Sequence, residues 1–139
     1  MSGFLPPAIT ADTAPYWEAA RRHELRLQRC GGCRAFRFYP GPACPRCGEE
    51  AAEWERVSGG GEVYSYVNVQ RATHPVIAAD VPYVVAMVEI SGTGGIRIPS
   101  RLVGVTPDEV RIGMAVDVDF EDVTPDCTVP VFRLARDRA

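Results

Sequence analysis

The sequence predicts a mainly β protein in two parts: a small metal-held ribbon behind one helix, then a five-stranded barrel. Three observations carry that prediction. Cys30, Cys33, Cys44 and Cys47 form two CxxC pairs. Ser58-Gly59-Gly60-Gly61 then interrupts the chain, and long alternating or wholly apolar segments replace short ones. Those segments come as three strands, a short capped helix and two more strands, the order of an OB-fold.

The cysteine spacing is the sharpest signal. CxxC lets two thiolates from one tight turn point at the same centre, and a second such turn completes a tetrahedron with Zn–S distances of about 2.3 Å. Gly31-Gly32 in the first pair, and Pro45 and the following Gly48 in the second, suit the sharp backbone of a metal knuckle. All four donors are sulfur, so a zinc ion here holds structure and keeps no position for water or substrate. Iron also accepts four thiolates. Two disulfides would need an oxidising compartment and would leave Cys127 odd. Met1 to Pro15 has neither the basic start nor the apolar run of a secretory signal, so a cytoplasmic location is expected. A redox CxxC follows a strand, opens a helix and is not paired with a second one.

The elements follow in three pieces, 1–29, 30–57 and 58–139. Residues 12–24 read as a helix: Asp12 or Thr13 can cap it, Pro15 suits its first turn, and Tyr16, Trp17 and Ala20 make an apolar face. That face must pack on the rest of the chain or on a partner. Leu25 and Leu27 alternate with Arg26 and Gln28 as a lead-in strand. Phe36, Phe38 and Tyr39 form a strand between the knuckles, and Trp54 closes a ribbon too small to hold itself without metal. Ser58 to Gly61 reads as a flexible joint. Residues 62–71 place Val63, Ser65, Val67 and Val69 on one face, and 83–90 is apolar enough to be covered on both sides. Residues 96–105 form a third strand in which Pro99 argues for an edge or a bulge. Thr106 to Glu109 reads as a capping box and Gly113 as the stop of a short helix. Val116, Val118 and Phe120 begin a fourth strand, Val129 to Leu134 is a fifth, and Arg136 to Ala139 reads as a frayed tail.

Composition narrows the function. No run is long enough to span a membrane. Residues 1–56 carry 8 Arg against 7 acids, whereas residues 57–139 carry 7 Arg against 11 acids, so the barrel is acidic. A single-stranded nucleic-acid module could draw on Tyr64, Tyr66 and Arg71, but it needs the opposite charge balance. No catalytic set stands out. His23 ends the helix, His74 sits in a loop before Pro75, Cys127 reads as an inert thiol, and Asp117, Asp119 and Glu121 read as one solvated strand face. A free-standing acyl-CoA carrier would need cations for phosphates, and Arg71, Arg97 and Arg101 are the barrel candidates.

The wording of the chain supplies one more inference. "LRLQRC", "CPRCG", "GEVYSYVNV", "PYVVAMVEI", "VRIGMAVDVDFED" and "VPVFRLA" run in order from about Tyr16 to Leu134. This resembles the zinc-ribbon plus OB-fold family catalogued as domain of unknown function thirty-five. The resemblance implies an accessory subunit of a thiolase-like enzyme acting on acyl-CoA, by acyl transfer or by retro-aldol cleavage in steroid side-chain breakdown. It also implies that the partner supplies the catalytic residues and, since such partners are dimers, two copies of each chain. The expected partner surface is Tyr16, Trp17, Ala20, Phe36, Phe38 and Tyr39, because a small ribbon cannot bury so many aromatics. Arg34 stands where the first knuckle of such proteins commonly has Gly, which bears on the turn and not on the ligands.

Overall fold

Helix α1 (Ala14–Arg21) opens the computed structural model, which describes residues 7–135; the expected tail at 136–139 lies outside them. Eight strands follow: β1 (Arg26–Cys30), β2 (Phe36–Arg37), β3 (Ala52–Arg56), β4 (Gly60–Val69), β5 (Tyr83–Ile90), β6 (Arg97–Leu102), β7 (Ala115–Thr124) and β8 (Cys127–Leu134). The first three form an antiparallel sheet in the order β2-β1-β3. The last five close into a barrel in the order β4-β5-β6-β8-β7, with β7 returning to β4. One parallel pairing, Leu102 opposite Phe132, joins β6 to β8, and every other ladder is antiparallel. That is the strand order of an OB-fold.

The helix is shorter than residues 12–24 because both ends have better partners. The Thr13 hydroxyl accepts the Thr10 N–H at 2.9 Å and does not cap the helix. At the other end His23 takes a left-handed conformation, φ 59°, while its N–H bonds to Ala20 and that of Glu24 to Ala19. This pair of bonds is a Schellman closure, with histidine where glycine is usual. The apolar face of α1 lies on β8 and β1, so Tyr16 and Ala20 are 3% and 1% exposed. The helix finds its core within the chain, and Tyr16 and Ala20 are withdrawn from the expected partner surface.

The barrel interior is filled by alternate residues of β5, Val84, Ala86, Val88 and Ile90, packed with Val63, Ile98, Leu102, Val116 and Phe132. A smaller cluster of Val123, Cys127, Val129 and Val131 meets Trp17 from the helix. Two expected elements differ. The short helix before β7 is a single 3-10 turn, Pro107–Glu109, in which Glu109 Oε1 accepts the Thr106 N–H at 2.7 Å. It stops there because Val110 turns extended and buries itself completely in the barrel core. In β4 a register shift between Val63 and Ser65 breaks the alternation. Val63 is buried, but Val67 is 59% exposed, beside exposed Tyr64 and Tyr66.

The glycine run is ordered strand rather than a loose joint. Gly60 and Gly61 pair with Asp117 and Val116 of β7, and Gly61 also pairs with Ile90 of β5. A Cβ on Gly61 would stand 2.4 Å from the Glu89 carbonyl oxygen, so glycine is required where one strand passes between two others. Gly61→Val is expected to lower unfolding free energy by about 3 kcal/mol through overpacking. Gly41→Ala, at a position with nothing within 4 Å, is expected to be silent. Equal urea midpoints for the two variants would contradict this account of barrel closure.

Candidate metal centre and adjoining groove

The knuckles fold as their sequences require. Cys30 ends β1, its carbonyl accepts the Arg34 N–H, and Gly48 takes φ 80° after the last cysteine. Arg34 itself adopts φ 65°, the left-handed conformation a glycine would take, so the turn keeps its geometry despite the side chain. All four sulfurs lie within 4.8 Å of one another, with Cys30–Cys47 at 3.5 Å and Cys33–Cys44 at 3.7 Å. A tetrahedron with Zn–S bonds of about 2.3 Å has edges of about 3.8 Å, so the donor set fits zinc in spacing and in chemistry.

Backbone N–H groups prepare the thiolates. Those of Cys47 and Arg46 pull the pKa of Cys44 down to about 6. At Cys30 burial works upward, but the N–H groups of Cys33 and Gly32 outweigh it and leave the pKa lowered. Cys33 receives the Ala35 N–H, yet burial and the neighbouring sulfurs push it up to about 11. Four thiols this close cannot all ionise unless a cation sits among them, and a divalent ion resolves that conflict.

Helix α1 and the ribbon segment at Phe38-Tyr39 leave a groove against the barrel. Trp17, Phe38 and Tyr39 form one wall, and Ile98, Pro99 and Arg101 of β6 with Pro130 of β8 form the other, around about 290 Å³. The prolines explain its existence. Pro99 and Pro130 offer no N–H to each other's strand, so β6 and β8 pair only at Leu102–Phe132 and part above it. Ser100 bridges the gap with one hydroxyl bond to the Pro130 carbonyl, 2.8 Å. Tyr16, Trp17, Phe38 and Tyr39 stack edge to face or tilted, with ring centres 4.8 to 6.5 Å apart. Tyr39 remains 50% exposed at the rim. Phe36 lies off this groove, under the guanidinium of Arg29.

The three barrel arginines expected to meet a ligand are not brought together. Arg101 is held by Asp80 at 2.8 Å and lies over Tyr83. Arg97 pairs with Glu89 and covers Tyr64, and Arg71 stands exposed in the loop after β4. What the sequence reading missed is a second cationic group, Arg29, Arg34 and Arg46, which lines one pocket with the Gly92–Gly95 turn. Each of the three lies next to a cysteine or within a CxxC, a signal visible in the sequence but masked by the stronger reading of the cysteines themselves. The histidines are structural. His23 stacks on Phe120 and reaches Asp122 at 3.3 Å, and His74 Nδ1 accepts the Val76 N–H. Asp119 pairs with Arg133, whose guanidinium holds its carboxyl below the usual range.

Comparison with known proteins agrees with this architecture. Residues 17–53 match the family described as "ChsH2, rubredoxin-like zinc ribbon domain", and residues 54–121 match "ChsH2, C-terminal OB-fold domain". The chain belongs to the DUF35 family, in its ChsH2-type form. A solved structure titled "Ltp2-ChsH2(DUF35) aldolase" superposes with a TM-score of 0.84 at 43% identity, covering 93% of this chain and 98% of that one. The "Probable enoyl-CoA hydratase alpha subunit" of Thermomonospora curvata is 45% identical over 131 residues, covering 93% of this chain. The "3-oxo-4,17-pregnadiene-20-carboxyl-CoA hydratase alpha subunit" of Mycobacterium tuberculosis is 36% identical over 119 residues, covering 84% of this chain. This DUF35 chain spans only 39% and 37% of the length of those two relatives. No helix among its described residues is long and apolar enough to cross a membrane.

Proposed function

We infer that this chain is the non-catalytic accessory subunit of a thiolase-like acyl-CoA enzyme. The partner cleaves a carbon–carbon bond by retro-aldol chemistry or transfers an acyl group, in steroid or lipid side-chain breakdown. The observation that carries this reading is the 43% identity with the chain of a structure titled as an Ltp2-ChsH2 aldolase, over 98% of that chain. The residues support it from the other side: both histidines are used in stacking, ion pairing and capping, and the four clustered cysteines leave no reactive position on a metal. The metal holds the ribbon, the ribbon presents Phe38 and Tyr39 beside Trp17 of α1, and those aromatics meet the partner. Phe36, beneath Arg29 in the neighbouring pocket, extends the proposed partner surface past the groove. The complex contains two copies of each chain, resides in the cytoplasm, and places the barrel beside the acyl-CoA entrance, where it shapes the opening.

Exposed Tyr64 and Tyr66, with Arg97 over Tyr64, are the one feature that favours a single-stranded nucleic-acid surface. The acidic barrel around them opposes it. Two measurements separate the readings. Co-expression with a thiolase-like partner is expected to give a stable complex that turns over acyl-CoA, while this chain alone shows no turnover and no submicromolar binding to single strands at physiological salt. Turnover by the isolated chain, or tight single-strand binding with a steep salt slope, would overturn the assignment.

A further inference from the structure

The pocket between the first knuckle, the second knuckle and the β5–β6 turn is a cation-lined site of about 330 Å³. Arg29, Arg34 and Arg46 come from the ribbon, and Gly92, Gly94 and Gly95 come from the barrel; no carboxylate lines it. We propose that this pocket binds the phosphate groups of a phosphate ester, and that in the assembled enzyme the ester is the nucleotide end of the acyl-CoA. The second clause rests on the accessory-subunit reading; the first does not.

Three features favour a phosphate. First, Arg29 is already immobilised. Its Nε donates to the Arg34 carbonyl at 2.7 Å, its Nη1 reaches both oxygens of Glu55 at 3.1 Å, and its plane rests on Phe36 at 4.5 Å. A guanidinium fixed on those sides loses little further freedom when its remaining N–H groups meet an anion. Second, Arg34 holds φ 65°, a left-handed conformation that is unfavourable for a residue with a side chain. That strain does nothing for the cysteine ligands, which a glycine turn would serve as well, but it places on the pocket wall a third guanidinium, held by Glu53 at 3.2 Å much as Glu55 holds Arg29. Third, the facing turn has positive φ at Gly92, Gly94 and Gly95, with open space where each Cβ would be. Such a turn leaves backbone amides accessible to an anion. Arg46 makes no ion pair among the described residues, so its charge is available.

The position also suits an amphipathic ester. Phe36 and Ile96 line the cationic pocket, and Phe38 and Ile98 line the apolar groove, each two residues further along. The cationic pocket and the groove therefore lie along one seam between ribbon and barrel. A ligand whose acyl end enters the partner beyond the groove leaves its charged end at this mouth.

The test uses the full zinc-loaded chain and three probes: pyrophosphate, coenzyme A and pantetheine, which lacks phosphate. Amide shifts at Gly92–Gly95, Arg34 and Arg46 are expected with the first two and absent with the third. Arg34→Gly should weaken binding at least tenfold while keeping zinc content and thermal stability, because it removes the cation and relieves the left-handed strain. Gly94→Asp, on the barrel side and away from the ligands, should weaken it equally. Undisturbed amides with pyrophosphate and coenzyme A, or unchanged affinity in both variants, would overturn the site. Pyrophosphate binding without any gain for coenzyme A would overturn the acyl-CoA assignment and leave a free-phosphate site. Co-purification with the partner is scored separately, so a failed accessory role and a failed phosphate site give different results.

Discussion

Cys44→Ser is expected to empty the metal centre and unfold the ribbon, the largest effect of any single change in this chain. The ribbon sheet is held by a five-residue ladder between β1 and β3 and only two pairs between β1 and β2. Apparent zinc-binding free energies in small ribbons and fingers are about 10–16 kcal/mol, which is folding free energy where little core exists. Loss of one of four thiolates should reduce zinc from one per chain to near none and remove the cooperative ribbon signal. The barrel, closed by its own ladders, should remain. Cys127→Ser should keep its zinc and cost about 1 kcal/mol, because a hydroxyl then sits among Val123, Val129 and Val131. Elemental analysis with thermal melts decides it; full zinc occupancy in Cys44→Ser would refute the ligand set. Acid should act in the same direction. With Cys44 pulled down to about 6 from an unfolded value of about 8.5, its contribution is complete above that unfolded value. In the metal-free ribbon it is lost as pH falls through 6; bound zinc competes with protons for the same thiolate, so zinc retention should decline only at lower pH.

Tyr39→Asp is expected to weaken association with the partner by at least thirtyfold, about 2 kcal/mol, the scale of an aromatic anchor at an interface. The side chain is half exposed at the rim of the groove, so the isolated protein should melt close to the wild type. Tyr16→Ala gives the contrast. That ring is buried against Trp17 and Phe38, so its loss should cost about 3–5 kcal/mol of stability before any partner is present. Association by size exclusion or calorimetry, read beside thermal melts, separates the two. Unchanged association for a folded Tyr39→Asp would move the interface elsewhere, with the exposed Tyr64, Tyr66 and Val67 face of β4 the next candidate.

The metal ligands were legible because CxxC is a local pattern whose chemistry depends on spacing alone. Barrel order was legible because β5 reads as one apolar run, β7 alternates through Val116, Val118 and Phe120, and Thr106-Pro107 marks the turn between β6 and β7. Features set by contact between distant segments were not. The bulge after Val63 ends the burial of β4, leaving both of its faces exposed through Asn68, and nothing in the valine spacing announces it. Gly60 and Gly61 read as a joint, since the crowding by Glu89 that demands glycine comes from a strand 28 residues away. Helix α1 looked unpartnered because its partner, β8, lies at the far end of the sequence. The groove was hidden for the same reason: it depends on Pro99 and Pro130 facing each other across strands that are not neighbours in sequence.

That packing of α1 on β8 has a kinetic consequence. Helix α1 can pack on nearby β1 early, but the larger part of its seat comes from β8, which ends at Leu134, more than a hundred residues later. Contacts of such long sequence separation slow folding, since a large loop must close before any energy is returned. The knuckles, with ten residues between Cys33 and Cys44, can gather a metal long before then. The metal centre can therefore form before the docking of α1 is complete. During that interval the β8-facing side of α1 stays uncovered, a window in which a waiting partner or a chaperone can reach residues such as Ala19 and Ala20 that the finished fold buries.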